Sequence, residues 1–131
     1  AQYTNQYKVY SRIFDSNNTP TGIEFMVNTS TSGMQHHADT VKLKNGDFVV
    51  SWVDTGQQST GIYGQRFNST GNKLGGEFKV NSYTASDQQE PAITSLDDGG
   101  FIVSWQSNGQ DGDGYGIFAQ RYNASGNTVG S

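Results

Sequence analysis

The feature that most constrains this chain of 131 residues is an internal repeat. Val9–Val53 aligns with Ile62–Gln106 at an offset of 53 without a gap, and 16 of the 45 paired positions are identical. A third copy begins at Ile117, where the offset is 55 because Asn108–Gly116 has two residues more than Thr55–Gly61. Such a period is typical of units that bury their apolar faces against one another. The predicted units are 1–61, 62–116 and 117–131.

Each complete unit has the pattern of four short strands. In the second unit the strands are predicted at Ile62–Asn68, Glu77–Asn81, Pro91–Leu96 and Phe101–Trp105, separated by Gly-, Asn- and Asp-rich turns. No segment has helical periodicity, and 12% of the residues are aromatic although only 32% are hydrophobic. The sequence therefore predicts an all-β fold of tandem four-stranded antiparallel repeats, either propeller-blade-like or stacked.

The repeats predict four, four and one strands, which is fewer than a closed propeller of four to eight blades requires. We therefore expect neighbours to complete the structure, either further repeats of a longer array or copies of the same chain. The first strand of the third unit is predicted to be unpaired and to dock on another copy, since exposed strand edges accept further strands. The residues expected in the intersubunit strands are Tyr7, Val9, Tyr10, Phe14, Ile117, Phe118 and Tyr122.

Composition excludes several classes of protein. No apolar run approaches the roughly 18–20 residues of a membrane helix, so membrane insertion is not expected. A net charge of −4 with eight scattered Lys and Arg lacks the basic footprint of a nucleic-acid-binding protein. The chain has no cysteine, which excludes disulfides, zinc–thiolate sites and thiol nucleophiles.

The stretch from Asn108 to Gly116 is the candidate metal site. Asn108, Asp111 and Asp113 alternate oxygen-bearing side chains with glycine, and calcium takes six to eight oxygens from flexible loops. The alternative is a solvated turn, because only two carboxylates are present and no glutamate follows in an EF-hand register. We expect no resident cofactor, with Ca²⁺ as the alternative.

Other side chains are weaker candidates for chemistry. His36 and His37 precede Asp39, but adjacent residues in a strand point to opposite faces, so the two histidines are not expected to converge on one metal ion. Glu77 with Glu90 or Asp97 could form the carboxylate pair of a glycosidase. Because Glu24 repeats Glu77, a structural role is favoured, and no enzyme activity is predicted. Trp52 and Trp105 end the fourth strands and fit core positions better than sugar-stacking positions.

Four N-x-[ST] sequons are candidate glycosylation sites: Asn17, Asn28, Asn68 and Asn123. Asn68 and Asn123 occupy the same place in the repeat, at the turn after the first strand. Exposed turns are where glycans fit, so we expect sugar on at least two of these residues if the source glycosylates.

Three runs of the sequence carry a family resemblance: Gln65–Asn68 with Gly75–Asn81, Gly99–Ser107, and Gln110–Ile117. They resemble a tandem repeat of large secreted or cell-surface proteins of bacteria and some protists, including calcium-dependent adhesin-like ones. The first unit departs from the pattern, with His36–Ala38 in place of Gln89–Pro91 and Gln57–Thr60 in place of the Asp/Gly loop. The resemblance implies an extracellular or cell-surface location and a structural or adhesive role.

The predicted function is that of a non-enzymatic extracellular structural protein that assembles with copies of itself into a filament, surface layer or adhesin stalk. Complementation between strand edges is the expected mechanism. One alternative is a calcium-dependent or glycan-binding adhesion module, with glycans as partners. A second alternative is a glycosidase-like propeller.

Overall fold

The structure, a computed structural model, describes residues 7–56 and 60–130. These residues form ten strands and no helix, which confirms the all-β prediction. The second-unit strands lie close to their predicted positions, although the second of them begins four residues earlier than expected. The strands are β1 (Tyr10–Ser11), β2 (Phe25–Met26), β3 (Gln35–Lys42), β4 (Phe48–Asp54), β5 (Gly61–Phe67), β6 (Lys73–Lys79), β7 (Gln88–Ser95), β8 (Phe101–Asn108), β9 (Tyr115–Tyr122) and β10 (Thr128–Val129).

The strands form three antiparallel sheets. β1 and β2 make an N-terminal strand pair, β3-β4-β5-β6 make the first sheet, and β7-β8-β9-β10 make the second sheet. Each four-stranded sheet therefore joins the last two strands of one sequence unit to the first two strands of the next. Short Gly- and Asn-rich turns join consecutive strands, so neighbours in the chain become neighbours in the sheet.

The expectation of an unpaired ninth strand is wrong. β9 pairs with β8 along its whole length, from Asn108↔Tyr115 to Phe101↔Tyr122. A tenth strand, β10, pairs with Arg121 and Tyr122 on the other side of β9. The earlier count assumed that each unit formed its own sheet, whereas the first strand of a unit pairs with the last strand of the unit before it.

One turn recurs three times, after β1, β5 and β9. In each turn a side-chain oxygen of Asp15, Asn68 or Asn123 accepts hydrogen bonds from the backbone N–H groups two and four residues later, at 2.8–3.1 Å. The fourth residue of each turn has a positive φ, which Asn and Gly tolerate. These residues are Asn18 (φ 62°), Gly71 (φ 90°) and Gly126 (φ 85°).

The three sheets pack face to face and enclose two apolar clusters. The N-terminal cluster lies between the strand pair and the first sheet and contains Val9, Val27, Val50, Trp52 and Phe67. The C-terminal cluster lies between the first and second sheets. It contains Leu43, Val49, Val53, Ile62, Val80, Phe101, Val103, Trp105 and Tyr122. The chain thus has two interfaces between successive layers rather than one central core.

Candidate functional site

The same three-ring contact holds both interfaces together. At the N-terminal interface Phe48 stacks on Phe67, with centroids 5.0 Å apart and planes at 11°, and Phe25 of the strand pair packs on Phe67 at 5.3 Å. At the C-terminal interface Phe101 stacks on Tyr122 at 4.9 Å and 10°, and Phe78 of the first sheet packs on Tyr122 at 5.3 Å. The first sheet thus contributes a stacked pair to the N-terminal interface and a single ring to the C-terminal interface.

Side-chain contacts between a strand of one layer and the turn of the next layer recur at equivalent positions. The Arg66 guanidinium donates to the Ser125 carbonyl at 2.7 Å, which lies in the turn of the following sheet. At the interface before it, the Ile13 side chain lies against Gly71 in the equivalent turn. Equivalent hairpins also meet, since Lys44 Nζ donates to the Asp97 carbonyl at 3.0 Å.

A buried asparagine ends the second strand of both layers. Asn28 Oδ1 accepts from the Val9 N–H at 3.0 Å, and Asn81 Oδ1 accepts from the Ile62 N–H at 2.7 Å. In each case the residue before the asparagine donates its N–H to the same partner's carbonyl at 2.8 Å. Each asparagine side chain thus replaces one rung of the ladder between the first and second strands.

The outward surface of the N-terminal strand pair exposes large rings. Tyr7 and Tyr10 are each 59% exposed and Phe14 is 53% exposed, whereas the equivalent of Phe14 in the first sheet, Phe67, is fully buried. Val9 was predicted to be an assembly residue, but it is buried in the N-terminal cluster. Its side chain is therefore not available to another subunit. The rings are exposed because no layer in the described residues covers them.

At the other end of the molecule, the β9 residues predicted for assembly also include both exposed and buried side chains. Ile117 is 73% exposed on the outer face of the second sheet. Phe118 packs on the C-terminal cluster and Tyr122 is buried within it, so these two rings face inward and serve the fold. Alternation along the strand separates them from Ile117.

One edge of β9 has no strand beside it in the part of the chain that the structure describes. β10 covers only Arg121 and Tyr122, whereas β6 also pairs with Tyr63 and Gly64 of the equivalent strand β5. Ile117 occupies the register of Ile62, whose N–H and carbonyl both bond toward β6. Because both backbone groups of an antiparallel residue point to the same side, those of Ile117 point to the open edge.

The outer face of the second sheet is more polar than the covered face of the first. The covered face contains Val41, Val49, Val53 and Ile62, and the equivalent positions of the second sheet are Thr94, Ile102, Gln106 and Ile117. At its rim Arg121 forms an ion pair with Asp98. The Gly100 N–H and the Arg121 guanidinium lower the pKa of this carboxyl group.

A cleft of 480 Å³ lies beside β1, where the strand pair leaves part of the first sheet uncovered. Its lining includes Arg12, Phe14, Thr40, Lys42 and Phe48. Thr40 of β3 is exposed, whereas its equivalent in β7, Ile93, packs on the C-terminal cluster. At this position the uncovered strip of the first sheet thus has a polar side chain where the covered strip of the second sheet has an apolar one.

The predicted calcium residues lie in the loop between β8 and β9. Asp111 and Asp113 are exposed, and Asp111 Oδ1 accepts the Asp113 N–H at 3.3 Å. Asn108 lies at the end of β8, where its N–H donates to the Asp87 carbonyl. Within the described residues no group of three or more His, Cys, Asp or Glu could hold a metal ion. The equivalent loop of the first unit includes 57–59, which lie outside the described residues.

The rings of His36 and His37 are in contact, because the strand is irregular at this point. His37 has a left-handed backbone (φ 51°) in a β-bulge of β3, and its ring lies edge-to-face on that of His36 with centroids 4.6 Å apart. Glu90 occupies the same bulge of β7 (φ 53°) and its carboxylate lies 4.0 Å from His37 Nε2. The pKa of His36 is lowered, mainly by burial and to a smaller extent by the neighbouring His37.

The four sequon asparagines have different surroundings. Asn17 and Asn123 are exposed and Asn68 is half-buried, and the turn hydrogen bonds of Asn68 and Asn123 use Oδ1 rather than Nδ2, the atom that a glycan would occupy. Asn28 is fully buried, and its Nδ2 donates to the Ser30 carbonyl and to Gln35 Oε1. A glycan cannot fit there in this fold, so Asn28 is withdrawn as a candidate.

Comparisons with protein-family models, with curated proteins and with solved structures each find no match for this chain. Among the described residues no helix is long and apolar enough to cross a membrane. The site is therefore defined by the molecule's own geometry, as two terminal surfaces that repeat parts of its two internal interfaces.

Sequence reasoning identified β1 and β9 but missed the outer face of the second sheet and the uncovered strip of β3. The signal was present in the alignment of the repeats. Val41 and Val53 correspond to Thr94 and Gln106, and Ile93 corresponds to Thr40. Each polar member of these pairs lies on a terminal surface, while its apolar equivalent lies against another layer.

Proposed function

We propose that this chain is a non-enzymatic structural module that assembles with further copies of the same repeat into a filament, surface layer or stalk outside the cell. One observation carries the proposal. Two successive internal interfaces use the same ring triads and turn contacts, and equivalent side chains, Tyr10, Phe14 and Ile117, are exposed at the two ends. An exposed surface that repeats an internal interface fits another copy of the unit that made that interface.

The extracellular location rests on the family resemblance. Asn17, Asn68 and Asn123 are the glycan acceptors that agree with it, because Asn17 and Asn123 are exposed and Asn68 is half-buried in surface turns. Expression in a glycosylating host followed by intact-mass analysis tests this part. The expected result is an intact mass raised by N-acetylhexosamine and hexose, with glycopeptides that place the sugar on these asparagines and none on Asn28.

Self-association tests the assembly itself. We expect light scattering after size exclusion to give a mass that rises with concentration above the 14.2 kDa of one chain. Ile117→Lys places a charge on the outer face of the second sheet and should weaken association at least tenfold. Met34→Lys changes another exposed apolar side chain (37% exposed) in a loop and is the matched control. A wild-type chain that stays monomeric at millimolar concentration would overturn the proposal.

A further inference from the structure

β1 and β9 are equivalent strands with different support. Both are the first strand of a repeat, and the residues after each form the same turn. β9 is paired with β8 over eight residues, while β1 pairs with β2 over two residues, and no strand lies on its other side within the described residues. Since β8 holds β9 along its whole length, β9 is a better-supported partner than β1 for a second strand such as β2.

We propose that β9 of one copy takes the place of β1 in the next copy and pairs with β2 of that copy. This rests on the proposed function and names the segments that carry out the assembly. Val9 forms two hydrogen bonds with the residues that follow β2: its N–H donates to Asn28 Oδ1, and its carbonyl accepts from the Val27 N–H. Ile117 presents the same two groups at the open edge of β9. The exchange conserves both bonds, because β9 takes the place of an equivalent strand of the repeat.

Such an exchange completes the second sheet of one copy and stacks the first sheet of the next copy on it. The polar positions then meet each other. Thr94 and Gln106 on the outer face of the second sheet come opposite Thr40 and Lys42 of β3 in the next copy. Inside the chain the equivalent contact is apolar, between Val41 and Val53 on one side and Ile93 on the other. The two terminal surfaces are thus matched in polarity.

Polar contacts are matched as well. His37 Nε2 lies 4.0 Å from the Glu90 carboxylate, and Lys44 Nζ donates to the backbone carbonyl of Asp97 across the internal interface. Continuing the stack into a second copy places Glu90 of one copy against His37 of the next, and Asp97 against Lys44. Arg121 takes the role of Arg66, which donates to the carbonyl of Ser125. Its new acceptor is the Thr70 carbonyl of the next copy. Opposite charges across an interface favour this register over others.

A disulfide that locks β1 to β2 tests the exchange. Tyr10 and Met26 are directly paired across the two strands, and the chain has no other cysteine to interfere. Directly opposed residues in antiparallel strands suit a disulfide. The oxidised Tyr10→Cys/Met26→Cys variant should associate at least tenfold more weakly than the same variant under reducing conditions. Equal association in the two states would overturn the exchange.

Two chains with one cysteine each test the register. An equimolar mixture of Lys44→Cys and Asp97→Cys chains cannot form a disulfide within one chain. We expect a disulfide-linked heterodimer under mild oxidation. Lys44→Cys mixed with Asp113→Cys is the control, because Asp113 lies at the other end of β8 from the Asp97 hairpin. Equal yields in the two mixtures would overturn the proposed stacking.

The two proposals fail in different ways. A wild-type chain that never associates contradicts the proposed function. If the oxidised Tyr10→Cys/Met26→Cys chain associates as well as the reduced chain, the chain assembles by other contacts. The same conclusion follows if Lys44→Cys and Asp97→Cys chains form no specific heterodimer. In both cases only the proposed exchange is wrong.

Discussion

The two interfaces of this molecule have the same three-ring contact but different coverage. The C-terminal interface joins two four-stranded sheets, whereas the N-terminal interface joins a four-stranded sheet to two short strands. At the C-terminal interface, where both layers are four-stranded, Ile93 of β7 is half-buried and Pro91 is buried. At the N-terminal interface the equivalent residues of β3, Thr40 and Ala38, are exposed. At Thr40/Ile93, Val41/Thr94 and Val53/Gln106 the polar member of the pair lies on the uncovered side, which indicates that one framework serves both as interior and as surface.

The largest expected effect is on the free energy of unfolding, and it should differ between a covered and an uncovered residue at equivalent positions of the repeat. Phe67→Ala removes a fully buried ring from the N-terminal triad and should lower the free energy of unfolding by about 3–5 kcal/mol. Phe14→Ala changes the equivalent ring, which is 53% exposed, and should change it by less than about 0.5 kcal/mol. Urea denaturation of both variants measures the difference. Similar losses would show that Phe14 is as well packed as Phe67.

The buried asparagines should give an intermediate effect that is similar at both interfaces. Asn28→Ala and Asn81→Ala each leave a backbone N–H, of Val9 or Ile62, without its acceptor. We expect each to cost about 1–3 kcal/mol of unfolding free energy, the usual cost of an unpaired buried group. Chemical denaturation checks this, with Asn127→Ala in an exposed turn as control. A loss at only one of the two sites would break the equivalence of the layers.

Tyr122 should give a smaller effect that distinguishes the triads. Its hydroxyl group is buried with no hydrogen-bond partner among the described residues. The equivalent residue Phe67 has no hydroxyl group. Tyr122→Phe should therefore leave the unfolding free energy unchanged or raise it by about 1 kcal/mol. A loss above that size would reveal a partner for the hydroxyl.

The same residue predicts an alkaline dependence. Burial raises the pKa of Tyr122 to about 12, above its ordinary value of 10.0. The neutral phenol is favoured in the folded state, so its contribution is complete below pH 10 and is lost as the pH rises toward 12. Tyr122→Phe should reduce this loss in denaturation curves between pH 9 and 12. Burial also raises the pKa of Tyr63, so part of the dependence should remain.

The smallest effect is expected from calcium. Asp111 and Asp113 are exposed and belong to no cluster of three metal-binding side chains in the described residues. Millimolar Ca²⁺ should therefore shift the melting temperature of the wild type and of Asp111→Ala/Asp113→Ala equally, by less than about 1 °C. A stabilisation confined to the wild type would restore the calcium-dependent adhesion alternative.

The sequence was sufficient for the strands because period-2 alternation and turn residues are local signals. Sheet membership was not local: β5 pairs with β4 across a unit boundary, and nothing in either strand alone indicates that. The meeting of His36 and His37 was missed because it depends on a left-handed residue in a bulge. Burial of Asn28 was missed because a sequon motif contains no information about tertiary contacts.

The most direct test of head-to-tail assembly is to block one end of each of two chains and mix them. Ile117→Pro removes the N–H at the open edge of β9, where proline is tolerated because no β8 bond uses it. The oxidised Tyr10→Cys/Met26→Cys chain keeps β9 free but locks β1. Each variant alone should be monomeric by light scattering, and the mixture should give a 1:1 heterodimer of about twice 14.2 kDa that grows no further. A mixture that stays monomeric, or a single variant that polymerises alone, would contradict the account.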